Sequence, residues 1–228
     1  GLLSATATID GTSTPPQSNI VARLRNFELA NQFPPIANGT EPALQGPLQA
    51  RLHVEGPGAS IRELLQLGSG ALTASLGSGR IDPLAVEALG VDFGQALGQL
   101  GDEDRHSIAI HCIVARLALE GGTARATALI MDTPDSRIDG EGSIDLAQEE
   151  MDLRLISHPK DVSIGAARTP ITVTGPLAHP SIGVAPEGLI ARGGAALALG
   201  VLLTPLAAIL PFTEWGLEEE NGCATAEQ

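Results

Sequence analysis

Between Gly140 and Pro186 the chain repeats one pattern: short runs in which apolar and polar residues alternate, cut by Gly and Pro. A period of two marks a strand with one face in water and the other against something apolar. Ile144 and Leu146 fall on one side, with Ser143 and Asp145 on the other. Met151, Leu153 and Leu155 repeat this against Asp152 and Arg154, and Ile171 and Val173 against Thr172 and Thr174. Val162 and Ile164 flank Ser163, and Ile182 and Val184 flank Gly183. Five strands of one grammar predict a sheet with one apolar face. Leaving that face in water costs about 25 cal/mol per Å², so a second layer or a ligand must cover it. What covers it is the question of function.

The rest of the chain extends the β reading and adds helices. Residues 5–9 and 20–24 read as strand patches separated by Thr14-Pro15-Pro16, and a stretch holding Pro34, Pro35 and Pro42 follows. Proline confines a strand to an edge or ends it. Leu48, Ala50, Leu52 and Val54 alternate with Gln49, Arg51 and His53 until Gly56-Pro57-Gly58 stops the strand. Ser60 caps a short helix over residues 61–65, with Glu63 at the capping-box position. Residues 72–76 form another strand, followed at 77–82 by a faint echo of the spacing at 140–145. Pro83 suits a first helical turn, and Leu84, Leu89, Phe93 and Leu97 keep helical spacing to Leu100. Residues 108–119 and 123–130 are two strands joined by a Gly-Gly hairpin signal at Gly121-Gly122.

From Glu187 the grammar changes. The 21 residues between Arg192 and Glu214 carry no charge, and a straight helix of that length spans about 31 Å, close to a bilayer core. Pro205 and Pro211 interrupt the run, so the expectation is a bent helix packed on the sheet, with membrane contact through 187–213 as the alternative. The fold class is mainly β with minor α: a twisted, concave antiparallel sheet with two helical regions near 83–100 and 187–210. The chain divides into a β-rich segment at 1–105 with one or two helices, a central antiparallel sheet at 106–186, and an apolar helical segment with an acidic tail at 187–228.

Composition narrows the function. With 228 residues, 43% of them apolar, the chain can bury a core. Its net charge of −14 argues against nucleic acid and against electrostatic docking on anionic headgroups, and no basic patch shows in the sequence. Four Phe, one Trp and no Tyr leave no stacking platform for bases. Asp145, Glu149, Glu150 and Asp152 are the densest carboxylates, but turn and solvent-face charge is the ordinary reading of their positions. The five histidines are scattered, and no phosphate loop, nucleophile elbow or zinc motif occurs. The expectation is a protein that is not an enzyme, with no cofactor and no metal. Cys112 and Cys223 are the only cysteines. They would be free thiols in a reducing compartment and a bridge in an oxidising one.

Several of these motifs resemble a known family. Gly140, Gly142, Ile144-Asp145-Leu146, Met151 to Leu155, Pro159-Lys160, Arg168-Thr169-Pro170-Ile171, Gly175 and Pro180 are similar to the C-terminal region of the AsmA family. The likeness continues through Gly193-Gly194-Ala195-Ala196, Pro205-Leu206-Ala207-Ala208, Leu210-Pro211-Phe212 and Cys223, and weakens upstream of residue 106. It implies that Cys112 and Cys223 are bridged. The chain begins at Gly1, shows no signal peptide and lacks the N-terminal anchor of AsmA relatives, so it reads as the C-terminal part of a longer periplasmic protein anchored in the inner membrane.

The resemblance further implies a hydrophobic β-groove that moves phospholipid between inner and outer membrane in outer-membrane biogenesis. The lipid-facing candidates are Ile144, Leu146, Met151, Leu153, Leu155, Ile171 and Val173. Expected partners are phospholipid acyl chains and an outer-membrane or periplasmic protein, with no nucleic acid. The alternative is a non-catalytic capping or interaction module docking on an outer-membrane partner or assembly factor.

Overall fold

The structure is a computed structural model that describes residues 1–32, 35, 42–82, 107–160, 163–164, 170–184, 213–214 and 223. The first half contains β1 (Leu2–Asp10), β2 (Gln17–Glu28), a 3-10 turn (Leu29–Asn31), β3 (Leu44–Gln45), β4 (Pro47–Pro57), α1 (Ile61–Leu67), β5 (Ser69–Leu76) and β6 (Gly79–Ile81). The second half contains β7 (Ile108–Ile110), β8 (Cys112–Glu120), β9 (Thr123–Asp132), β10 (Ser136–Asp145), β11 (Glu150–Pro159), β12 (Ser163–Ile164), β13 (Ile171–Pro176), β14 (Ser181–Val184) and β15 (Thr213–Glu214).

Ten strands form one antiparallel sheet in the order β1-β2-β4-β5-β8-β9-β10-β11-β13-β14. The strands enter the sheet in chain order, and five of the nine steps, β1–β2, β8–β9, β9–β10, β10–β11 and β13–β14, are joined by short local turns that set their registers. The β8–β9 link is a two-residue turn whose Gly121 (φ 53°) and Gly122 (φ 83°) occupy the left-handed region. That is the geometry their sequence signals, because a mirror-image turn matches the twist of the flanking strands. Between β1 and β2, Asp10 accepts a hydrogen bond from Thr12 N–H at 2.9 Å. This bond, with the Thr12 side chain, holds its exposed carboxyl below the usual aspartate range.

Nine interstrand steps of about 4.8 Å make the sheet about 43 Å wide. A bulge between Gly140 and Ser143 interrupts the β9–β10 register. Gly142 lies there at φ 130°, so close to the β11 backbone at Asp152 and Leu153 that a Cβ would collide with it. Bulges add local twist and bend.

Several expectations change on this frame. Residues 108–119 are two strands, split at His111, whose N–H bonds to Asp132 O at 2.8 Å. The first part, β7, joins a small sheet of order β3-β6-β7, while β8 belongs to the large one. The neighbouring strands break at the same level, β3 from β4 at Gly46 and β5 from β6 at Gly77-Ser78. The small sheet therefore continues β4, β5 and β8 past a shared bend. This also separates the echo at 77–82 from 140–145, which lie in different sheets. The strand expected around Ser163 pairs with β15 and stands apart from the ten-stranded sheet.

Among the described residues the one α-helix is α1. Ser60 Oγ accepts from Glu63 N–H at 3.2 Å, and Glu63 Oε2 accepts from Ala59 N–H at 2.8 Å, one residue before the usual capping-box partner. The helical regions expected near 83–100 and 187–210 lie outside the described residues, as does nearly all of the 187–213 segment. No helix among the described residues is long and apolar enough to cross a membrane.

Candidate functional site

Cross-strand partners share a face, so the registers sort the side chains of the whole sheet into rows. One row runs Ala7, Ile20, Val54, Gly70, Leu119, Ala124, Ile144, Met151, Gly175. The next runs Ala5, Ala22, Leu52, Leu72, Leu117, Ala126 and, beyond the bulge, Leu153, Val173, Ile182. A third runs Leu3, Leu24, Ala50, Ala74, Ala115, Leu129, Gly140, Leu155, Ile171. No charged or hydrogen-bonding side chain interrupts these three rows. The rows between them, on the other face, hold Ser4, Arg23, Arg51 and Thr73, and farther along Arg125, Ser143, Asp152 and Thr174.

The alternation read over 140–186 thus extends across the sheet. Six of the seven sequence candidates, Ile144, Met151, Leu153, Leu155, Ile171 and Val173, occupy one patch of this apolar face. Leu146 follows two residues after Ile144, and its N–H bonds to Gly122 O at 2.8 Å in the turn beyond β10.

The patch has two parts. Helix α1 lies over one end, where Leu64, Val54, Leu119 and Ala124 form a buried cluster, with Ile144 and Leu146 packed against it. Leu64 is 2% and Val54 1% exposed. Met151, Leu153, Leu155, Ile171 and Val173 stand outside that cluster and are half-buried. At the opposite end of the strands, where they bend into the small sheet, Leu29, Ala43, Leu76 and Ile110 are buried.

Cys112 and Cys223 form a disulfide, with Cα atoms 6.4 Å apart across 111 residues of sequence. Cys112 pairs across the strands with Asp132, whose carboxylate is 2% exposed and lies 3.0 Å from His111 Nδ1. Lys160, the one lysine of the chain, places its ammonium 2.8 Å from Asp132 Oδ1, a contact through charge rather than an aligned hydrogen bond. The same ammonium donates to Thr133 O at 2.8 Å. Cys223 is therefore pinned to a strand position opposite the buried Asp132, which His111 and Lys160 contact. This grouping is not visible in the sequence, where His111, Asp132 and Lys160 share no spacing; a single lysine among thirteen cations is the one signal there.

Over 226 residues, 99% of this chain, 28% of positions are identical to the AsmA family protein YhjG of Escherichia coli (strain K12). This similarity supports membership of the AsmA family. The chain spans 32% of the length of that relative. No protein-family model matches it, and no solved structure does.

Of the carboxylates around the β10–β11 turn, Asp145 and Glu149 have structural partners. Asp145 Oδ1 accepts from the N–H groups of Ala147 and Gln148 at 2.8 and 2.9 Å and so shapes the β10–β11 turn. Glu149, in the same turn at φ 59°, accepts from Arg62 Nη2 of α1 at 2.7 Å. Asp152 stands on the polar face opposite Ser143. His158 Nε2 lies 3.4 Å from Asp139 Oδ2, and His53 Nε2 3.7 Å from Glu55 Oε2. Among the described residues no three His, Cys, Asp or Glu side chains converge in a way that would hold a metal ion.

Proposed function

We propose that this chain is the lipid-handling C-terminal part of an AsmA-family protein of the cell envelope, taking phospholipid acyl chains on the apolar face of its sheet. The observation that carries the reading is the three apolar rows, which no charged or hydrogen-bonding side chain interrupts, with half-buried Met151, Leu153, Leu155, Ile171 and Val173 beside the strip that α1 covers. Each methylene moved from water onto such a surface contributes about 0.8 kcal/mol, so a chain can be held without specific polar contacts. The headgroup stays in water at the rim, and no bond is made or broken. A twisted sheet of this kind would form the end of a groove in which lipid passes between inner and outer membrane. The protein would work in the periplasm as part of a longer chain anchored in the inner membrane, where the Cys112–Cys223 bridge is chemically at home.

The test is native mass spectrometry of the purified chain, combined with crosslinking to a photoactivatable phospholipid. Phospholipid adducts mapping to β11 and β13 are expected. A chain free of lipid that instead retains a stable protein partner would replace this reading with a capping or interaction module docking on an outer-membrane partner or assembly factor.

A further inference from the structure

The polar face holds a feature that sequence order hides. Arg23 on β2 stands directly opposite Arg51 on β4, and Thr73 on β5 connects that row to Arg116 on β8. Arg25 lies two residues along from Arg23 on the same side. Sheet geometry puts neighbouring members of this group about 5 to 10 Å apart. Among the described residues none of the four is paired with a carboxylate. Their neighbours are neutral donors: Gln49, Thr73 and Ser75 line, with three of the arginines, a shallow concavity of about 310 Å³. Farther along the same face Arg154 stands opposite Glu141, so charge there is balanced. Like charges set directly opposite destabilise a sheet, and this chain has 27 acidic residues from which partners could have been drawn. The arrangement calls for an anion from outside.

We propose that this arginine row docks on the phosphate groups of an anionic lipid surface. Guanidinium groups bind phosphate oxygens in a bidentate fork. The site is open and flat, so water screens each contact, and a single small phosphate gains little there. An array of headgroup phosphates can engage all four arginines together, as basic residues do at anionic leaflets. The net charge of −14 argues against such docking when read from the sequence alone, but the register gathers these arginines on one face, and charges beyond a Debye length of about 8 Å are screened. The inference concerns the face opposite the acyl-binding strip and stands whether or not that strip carries lipid.

The experiment is flotation of the intact chain with vesicles of phosphatidylcholine alone and of equimolar phosphatidylcholine and phosphatidylglycerol. Binding should require phosphatidylglycerol and weaken with salt. Each arginine removed should lower the partition coefficient about fivefold, so Arg23→Gln with Arg51→Gln should lower it about 25-fold. Both side chains are exposed and the double variant relieves a like-charge pair, so it should melt at or slightly above the parent. Arg80→Gln, off the row, should bind normally, and Arg23→Lys with Arg51→Lys should recover part of the binding. Equal binding to both vesicles, or an Arg23→Gln/Arg51→Gln variant that binds like the parent, would overturn the proposal. So would displacement by inorganic pyrophosphate with the vesicle surface contributing nothing, which would reassign the row to soluble phosphates.

Discussion

Ile144 and Leu153 belong to one hairpin and one face, a row apart, yet they live in different surroundings. Ile144 packs against the cluster that Leu64 of α1 closes over Val54, Leu119 and Ala124, whereas Leu153 lies outside it. Nothing in the local pattern separates them, since both alternate with polar neighbours in strands of ten residues. The difference is the second layer. A seven-residue helix, held by Ser60, Glu63 and an exposed ion pair between Arg62 and Glu149, turns one end of an apolar face into core. The same face beyond its reach stays half-buried. An alternating strand therefore specifies which side is apolar, and the covering element decides whether that side is core or surface.

The largest expected effect breaks the covered end. Leu64→Ala should cost about 4 kcal/mol, from lost transfer energy and the cavity left under α1, measured by chemical denaturation. A loss under about 1 kcal/mol would mean that α1 does not close a core. Beyond the helix, Leu153→Asp and Val173→Asp should each cost less than about 2 kcal/mol while abolishing phospholipid crosslinks. Losses above about 3 kcal/mol, the range of a buried unpaired charge, would show that this strip is also core.

Smaller effects sharpen the contrast. Ser60→Ala removes the acceptor for Glu63 N–H and should cost about 1 kcal/mol, with increased binding of a hydrophobic dye as α1 loosens. A silent dye signal would mean that the helix stays seated without its cap. Arg62→Ala breaks an exposed ion pair and should change stability by no more than about 0.5 kcal/mol. A larger loss would show that the link from α1 to the β10–β11 turn, and not the apolar contact, holds the helix down.

Much of the fold was legible because its signals are local. The Gly121-Gly122 turn, the strand from Leu48 to Val54, the capped helix after Ser60 and the β10–β11–β13 alternation each depend on neighbours in sequence, and each is present. The break at His111 was not legible. Nothing at that residue announces it, and it follows from where Gly46 and Gly77-Ser78 interrupt the flanking strands. The same limit hid the knot of His111, Asp132 and Lys160, whose members come from three strand ends.

The sequence by itself determined the β character, the side of each strand that is apolar and the family resemblance that paired Cys112 with Cys223. These rest on a period of two, on turn residues and on motif likeness, all of which are carried along the chain. Only the tertiary structure decided that the apolar rows join across ten strands, that α1 covers Ile144 and not Leu153, and that Arg23, Arg51 and Arg116 share one row on the other face. The physical reason is register. Alternation says which residues share a side within a strand, but cross-strand pairing, set by turns and bulges along the whole sheet, decides which of them become neighbours.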